Sequence, residues 1–420
     1  MQPAPVGYAV RACLWLALVL PAFASAAPAA LTLDEAMRIA LARAPLLEAR
    51  QAGVTAAREE AARAGALPDP MLTVGIDNFP VTGAEAFDAN ADFMTMKKIG
   101  LRQEIPSHAK RAARRSLADR QVALADADAQ ATRLAVRRAA ADAWIDLWAA
   151  ERELSALQSL RAQAGLAVQV AKARVAGGGS SVGEALAADA AALELDNRIE
   201  AAQATVAAAQ AGLARWVGET AADASGDAPA FDVLPHDEGV LLASLDRVGP
   251  LLAADAEVET AASAIDVARA EKRPDWTVGA SYGQRSGDRS DMLMLEVGIG
   301  LPLFSRNRQD RGIAAREADY QGALATREDL RRQAAAQIRA DVARWEGLKR
   351  QIALHENALL PLARDRSTAA LAAYRAGGPL QPWLDARRDE LDVHLAHAMH
   401  LGEFGHAWAA LAFLLPENTP

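Results

Sequence analysis

The sequence is almost without cysteine, the residue on which disulfides and thiol chemistry depend. Its single cysteine, Cys13, lies in a secretory signal predicted over 1–26, in which Arg11 supplies positive charge, "LWLALVLPAFA" is the apolar core and "ASA" precedes the cleavage point. Removal of this signal leaves a chain with no thiol. Disulfides, zinc–thiolate sites and cysteine nucleophiles are therefore excluded from the mature protein.

Long apolar runs and excess positive charge are also missing. No stretch beyond the signal reaches the roughly 18 consecutive apolar residues that a membrane-spanning helix needs, so the exported chain is expected in the periplasm, in the outer membrane or outside the cell. The formal charge is −9, and −10 once Arg11 leaves with the signal. An acidic chain is a poor ligand for nucleic acid.

Without a nucleophile–base pairing, phosphate loop or metalloprotease motif, we predict neither an enzyme nor a cofactor.

The chain contains one pattern twice. "LPDPMLTVGIDNF" at 67–79 matches "RPDWTVGASYG" at 273–283, and "IGLRQEIPSHAKR" at 99–111 matches "VGIGLPLFSRNRQ" at 297–309. Each copy is predicted to run helix, β-hairpin, very long helix, Gly-rich turn and return helix. The predicted limits are 27–217 for the first repeat, 218–240 for a linker or equatorial segment, 241–415 for the second repeat and 416–420 for a C-terminal tail.

Proline and glycine are nearly absent from the first long helix. The stretch 107–176 has no proline and one glycine, Gly165, which predicts an unbroken helix of about 100 Å. Its counterpart contains Pro361, which predicts a kink. Leucines at spacings of three, four and seven, with alanine between them, predict a coiled-coil-like array of helical hairpins. The predicted tips are the Gly-rich turns 175–183 and 374–382.

Two β-hairpins, 67–106 and 274–304, are predicted from shorter apolar segments. In "MLMLEVGIGLPLF" at 292–304 the apolar residues occupy every second position, as in a strand with one apolar face. The four strand segments, 70–79, 94–105, 274–284 and 291–304, approach the ~10 residues that cross an outer membrane as a tilted strand. The lipid-facing residues predicted for the last strand are Leu293, Leu295, Val297, Ile299 and Leu301.

Four strands are too few to close a barrel, and an open edge is not tolerated in lipid. Either several chains share one barrel, or a small sheet packs on a periplasmic helical domain. The apolar face and the repeat favour the shared barrel.

The chain resembles the TolC family of outer-membrane efflux factors. The resemblance rests on the tandem repeat, "PDP…TVG", "GLRQEIPSHAKR" and "YRAGG", and covers 31–415. It implies a mainly α chain with a small membrane β part, in which a homotrimer closes a twelve-stranded barrel that a long α-helical barrel continues into the periplasm. It also implies outer-membrane lipid, a periplasmic adaptor (membrane fusion) protein and an inner-membrane pump as partners.

The stretch "DNFPV…MTMKKIGLRQEIPSHAKR" looks most like the branch that serves heavy-metal cation pumps of the resistance–nodulation–division type. The resemblance therefore implies a passive exit duct for heavy-metal cations in a tripartite efflux system. The alternative within the same fold is an outer-membrane channel for multidrug efflux or type I secretion. An alternative from another class is a soluble periplasmic coiled-coil adaptor or chaperone.

A gate is expected near the Gly-rich turns. "LDA" at 384–386 resembles the family stretch in which acidic side chains ring the periplasmic entrance, so Asp385 is the candidate ring residue and Glu184 its candidate partner. Trp383 falls where a second acidic position is usual. The structural alternative is a solvated helix N-terminus, where carboxylates are favoured in any case. The residues expected to contact the adaptor are Lys172, Arg174, Gly177, Gly178, Arg375, Gly377 and Gly378.

Two further groups of residues invite functional interpretations. Basic residues follow both strand pairs, at 110–115 and 306–311, and suit either anionic lipid headgroups or a solvated face. In "HLAHAMHLGEFGHAW" three histidines, Glu403 and a fourth histidine follow one another at steps of three residues, and each step turns the side chain away from the previous one. At most a neighbouring pair such as His397 and His400 could chelate a metal, and structural roles are the commoner alternative.

Overall fold

The computed structural model describes residues 30–219 and 225–416. The signal predicted over 1–26 and all but the first residue of the predicted tail lie outside the described residues. The predicted repeat limits stay predictions. None of the helices in the described ranges combines the length and the apolar character needed to cross a bilayer.

Two similar halves follow one another along the described chain. The first half comprises α1 (Leu33–Arg43), α2 (Pro45–Arg63), β1 (Met71–Asp77), β2 (Met96–Ile105), α3 (His108–Ala176) and α4 (Val182–Val217). The second half comprises α5 (Glu238–Ala243), α6 (Gly249–Ala270), β3 (Trp276–Arg285), β4 (Met292–Ile299), α7 (Gln309–Leu354), α8 (Leu360–Arg375) and α9 (Gln381–Ala412).

The long helix predicted in the first half is present without a break. Ser107 caps α3, its hydroxyl accepting a hydrogen bond from the Lys110 N–H at 3.3 Å. The 69 residues of α3 extend about 100 Å. The helix ends at Gly177, the first residue of a Gly-rich turn. The first half is therefore organised along one rod.

The second half interrupts its rod where Pro361 predicts a kink. A π turn at His355–Leu359 separates α7 from α8. Pro361 has no N–H to donate, and its ring would clash with the carbonyl four residues earlier, at Asn357. The wider π turn removes this clash, and its first residue, His355, is buried, with only 8% of the residue exposed. Proline therefore interrupts the second rod, whereas the first is continuous.

Aromatic side chains hold the helices together near the middle of the rods. Trp144 of α3 is completely buried, and its indole N–H donates to the Leu31 carbonyl at 2.7 Å. Phe231 lies with its ring centroid 5.4 Å from that of Trp148 and 5.3 Å from that of Trp408. Phe231 belongs to the segment expected to be a linker, so part of that segment crosses the helices and enters the core.

Glycine lets α9 approach α3 closely beside these aromatics. A Cβ added to Gly405 would lie 2.8 Å from Ile145 Cγ2 and 3.3 Å from the Phe231 ring. A Cβ on Gly402 would lie 3.1 Å from the Ala149 Cβ. The alanine- and glycine-rich composition thus serves close helix packing, as the sequence predicts.

Candidate functional site

The strands of both halves form a single antiparallel sheet. The strand order is β1-β2-β3-β4, and β2 pairs with β3 from Met96 opposite Arg285 to Ile105 opposite Trp276. The two predicted hairpins are therefore continuous with each other. Within the described chain, β1 and β4 each pair on one side only, so the sheet has two open edges.

The predicted strand at 291–304 is too long by five residues at its end. β4 stops at Ile299, opposite Trp276, the first residue of β3. One more hydrogen bond follows, from the Gly300 N–H to the Asp275 carbonyl at 3.0 Å, and Pro302 then has no N–H to offer. The assignment of Leu301 to the lipid-facing strand is wrong, because Leu301 lies beyond the end of β4. Its side chain is nevertheless exposed.

One face of the sheet is apolar from edge to edge. Its side chains are largely exposed, with values of 76% for Val74 and 77% for Leu295. A contiguous apolar patch on a single chain marks contact with another molecule or with a membrane. Two rows of paired residues on this face are Leu72, Leu101, Ala280 and Leu295, and Val74, Ile99, Tyr282 and Leu293.

The opposite face carries small and charged residues. The side chains of Arg102 and Glu296 form an ion pair at 3.2 Å, and those of Lys98 and Asp77 one at 3.1 Å. A Cβ on Gly100 would lie 2.7 Å from the Ser281 Cβ, so position 100 requires glycine. The sheet is therefore amphipathic, with one face suited to lipid and the other to water.

Lys97 explains why β2 alternates poorly in the sequence. It lies on the apolar face, but it is the second residue of β2, at the loop end of the sheet, between Ile76 and Gln284. Its ammonium group donates to the Asn90 side chain at 3.0 Å. A lysine at the rim of an apolar face can reach polar surroundings with its head.

The two helical tips lie side by side. The first turn joins α3 to α4, and the second joins α8 to α9. Arg174 connects them, because its guanidinium donates to the carbonyls of Tyr374 at 2.7 Å and Gly378 at 3.0 Å, and also to Gly179 at 3.0 Å in its own turn. It also lies 4.3 Å from the centroid of the buried Tyr374 ring. This bridging role was not predicted from the sequence.

The other residues predicted to contact an adaptor are more open. Lys172 is exposed and forms an ion pair with Asp189 at 3.0 Å. Gly178 and Gly377 have φ of +71° and +104°, a backbone conformation that favours glycine. Gly177 and Arg375 are exposed, whereas Gly378 is half-buried against the Ala373 carbonyl.

The two candidate gate residues make local hydrogen bonds, Glu184 in the first turn of α4 and Asp385 one turn into α9. Asp385 accepts from the Gln381 side chain at 2.9 Å. Glu184 accepts from the Ser180 hydroxyl, and its own N–H donates to the Ser181 hydroxyl at 3.2 Å. Trp383, at the position where a second acidic residue is usual, is buried and packs in the apolar core of the two tips.

Arg174 gives a testable prediction for the tips. Replacing it with Ala removes charged hydrogen bonds worth about 1.5–3 kcal/mol each. We therefore expect backbone amides of both turns to exchange with deuterium at least about tenfold faster, while the middle of α3 is unchanged. Lys172→Ala is the control, because loss of its exposed ion pair costs about 1 kcal/mol at most. Equal exchange in the two variants would contradict the bridging role.

A histidine links α3 and α9 nearer the middle of the rods. His406 Nδ1 lies 3.2 Å from an Asp142 oxygen and Nε2 lies 2.9 Å from an Asp146 oxygen. These hydrogen bonds outweigh the effect of burial and raise the pKa of His406 to about 9. The charged imidazolium can donate to both carboxylates at once. His406 therefore has an ion-pairing role.

This pair of contacts predicts a dependence of stability on pH. The folded pKa exceeds the unfolded value near 6.5, so the stabilisation is complete below about pH 6.5 and disappears as the pH rises through about 9. More than a third of the side chain is exposed, and screening reduces the contribution to about 1–2 kcal/mol. Denaturation midpoints should thus differ between wild type and His406→Gln at pH 6, and converge at pH 10. A constant difference would contradict this role.

His397 and His400 lie together on α9, as a neighbouring pair requires. The structure adds His355 of the π turn, whose ring contacts both. His355 is far away in the sequence and lies outside the repeated histidine stretch. No sequence pattern pairs it with the other two.

The amphipathic sheet with open edges and the pair of long rods define a protein class, the outer-membrane efflux channels with the TolC-like fold. The sequence profile of the family "Outer membrane efflux protein" matches residues 36–219 and 243–416. The chain belongs to this family. The predicted fold, outer-membrane location and non-enzymatic role are thereby confirmed.

Individual relatives agree with this assignment. The chain is 27% identical over 412 residues to the cobalt-zinc-cadmium resistance protein CzcC of Cupriavidus metallidurans, covering 93% of this chain and 91% of that one. A membrane protein from Pseudomonas aeruginosa superposes with a TM-score of 0.78 at 18% identity, covering 91% and 89% of the two chains. The channel protein CusC gives a TM-score of 0.75 at 15% identity, covering 91% and 92%.

Proposed function

We propose that three copies of this chain form one outer-membrane duct, each contributing four strands to a twelve-stranded barrel. The observation that carries the proposal is the amphipathic sheet with two open edges. Pairing β4 of one copy with β1 of the next would satisfy the free backbone groups of both edges. The apolar face would then contact lipid, and the face bearing Arg102 and Glu296 would line water.

The residues just below the sheet support contact with the inner surface of that membrane. Leu303 and Phe304, in the turn that follows β4, are 74% and 85% exposed. Arg306, Arg308 and Arg311 follow and are exposed. Apolar side chains next to arginines suit the boundary between acyl chains and anionic headgroups.

The long rods would continue the duct into the periplasm, where their tips would meet a periplasmic adaptor and an inner-membrane pump of the resistance–nodulation–division type. Lys172, Arg375 and the exposed turn glycines offer the accessible contacts there. Arg174 would act indirectly, by holding the two turns in one arrangement. Around a threefold axis, Asp385 and Glu184 would give acidic rings that attract cations.

The cargo we propose is a heavy-metal cation. The similarity to CzcC over nearly the whole chain supports this cargo, together with the stretch at 77–111 that resembles the heavy-metal branch. An outer-membrane channel for drugs or for type I secretion has the same architecture. Family membership counts against the soluble adaptor, since this family comprises outer-membrane proteins.

Deletion and complementation separate the two cargo classes. Loss of the gene should lower the tolerated concentration of zinc, cobalt or cadmium and leave antibiotic tolerance unchanged, and the wild-type gene should restore metal tolerance. A fall in antibiotic tolerance with unchanged metal tolerance would overturn the proposed cargo. It would leave the proposed duct in place.

A further inference from the structure

Three histidines from two helical segments meet where the π turn, which holds His355, faces α9, which holds His397 and His400. The His355 ring is stacked on that of His397, with centroids 5.8 Å apart, and is edge-on to that of His400, with centroids 5.2 Å apart. All three side chains are largely buried. Glu356 and Glu403 flank the cluster from its exposed side, 3.8 Å from His397 Nε2 and 3.7 Å from His400 Nδ1.

One ring nitrogen of each histidine in this cluster lacks a hydrogen-bond partner. The Nδ1 atoms of His355, His397 and His400 are all buried and accept or donate no hydrogen bond. Buried polar atoms in native proteins normally have a partner, and exceptions call for an explanation such as a bound ion. These three atoms belong to the His355 ring and to the two rings that contact it, and together they form a set of unused nitrogen donors.

The π turn is what brings the third histidine to the other two. His355 is its first residue, and Pro361 prevents the regular helix from continuing past it. Single π turns inside α-helices recur at functional sites. The sequence stretch on α9 supplies only the pair, so the cluster depends on the interruption of the second rod.

We propose that His355, His397 and His400 together bind one divalent transition-metal ion in the wall of the helical duct. Imidazole nitrogen is a preferred ligand of zinc, copper and nickel. A fourth position would remain for water or for the carboxylate of Glu356 or Glu403. All three ligands belong to helices of one chain, so the proposal does not require the exported cargo to be a metal.

The spacing of the rings fits this assignment. In a tetrahedral site with metal–nitrogen bonds of 2.0–2.1 Å, the centroids of two imidazole ligands lie about 5 Å apart. The observed separations from His355 are close to that value. Burial lowers the pKa of His355 and His397, which keeps these two rings in the neutral form that ligates metal.

A change in ring orientation is needed for binding. With the side chains as they lie, no three His, Cys, Asp or Glu residues in 30–219 and 225–416 are arranged to hold a metal ion. The torsion that turns a histidine ring has a broad profile, so reorientation within the cluster is accessible without moving the helices.

The test is direct metal binding to the purified full-length protein in detergent after treatment with a chelator. We expect one zinc ion per chain by calorimetry, and cobalt bound at the same site to show the intense visible absorption of tetrahedral coordination. His397→Gln and His400→Gln should each weaken binding about 100-fold or more, since loss of an outer-shell partner alone costs ~10–100-fold. Zinc should also raise the melting temperature of the wild type but not of these variants.

Two matched variants keep the result interpretable. His394→Gln changes a histidine of α9 just outside the cluster, and His406→Gln removes the one held by Asp142 and Asp146; both should bind zinc as the wild type does. Circular dichroism and gel mobility show whether each variant is folded and assembled. Zinc binding that is absent in the wild type, unchanged in the folded His397 and His400 variants, or lost in His406→Gln would overturn the site. Because the readout is binding and not resistance, neither outcome depends on the proposed cargo.

Discussion

Replacing Leu295 with Arg is expected to prevent assembly of the protein in the outer membrane. Leu295 lies in the middle of β4 on the apolar face and is 77% exposed in the single chain. Arginine on the lipid face near the midplane of a β-barrel costs about 2–4 kcal/mol per chain. Membrane fractionation should find the variant degraded or unassembled, and cells should lose efflux.

The residue next to Leu295 provides the control. Met294 pairs with Ser281 and belongs to the opposite face, with Gly100 and Thr73 in the same row. Met294→Arg places the same charge on the side proposed to face water and should still assemble. If Leu295→Arg assembled normally, or if both variants failed alike, the assignment of the two faces would be wrong.

Replacing Trp144 with Ala is expected to give the largest loss of stability in the helical part. Trp144 is fully buried between α1, α3 and α9, and truncating a buried aromatic side chain of this kind costs about 3–5 kcal/mol. Guanidinium unfolding followed by far-ultraviolet circular dichroism should show the shift in midpoint.

Trp144→Phe separates packing from hydrogen bonding. The phenyl ring retains most of the apolar contacts but cannot donate to the Leu31 carbonyl, as the indole does at 2.7 Å. Loss of that one bond should cost about 1–2 kcal/mol. If the two variants were equally unstable, the hydrogen bond and not the packing would dominate at this position.

The sequence predicts the regular parts of the fold well, because they repeat and obey simple periodicity. The unbroken α3 follows from the absence of proline in 108–176, and the interruption of the second rod follows from Pro361. The two predicted β-hairpins, 67–106 and 274–304, locate the strands of the sheet to within a few residues. The sequence does not show the end of β4, because "GIGLPLF" keeps alternating beyond Ile299, whose partner Trp276 is the first residue of β3.

The candidate sites are less visible in the sequence, since they depend on which distant residues meet. Arg174 is predicted as a surface contact, but the second tip, 200 residues later in the chain, supplies the Tyr374 carbonyl that it binds. His355 joins His397 and His400 only through the π turn. Phe231 lies in an irregular segment whose polar composition suggests a linker, and its burial results from the aromatic side chains around it.

The most direct test of the central claim is the mass of the purified protein in detergent, measured by native mass spectrometry after removal of the micelle. The open edges of β1 and β4 predict three chains in each particle, and release of the particle from the membrane only by detergent. A single folded chain that stays monomeric and dissolves without detergent would contradict the shared duct.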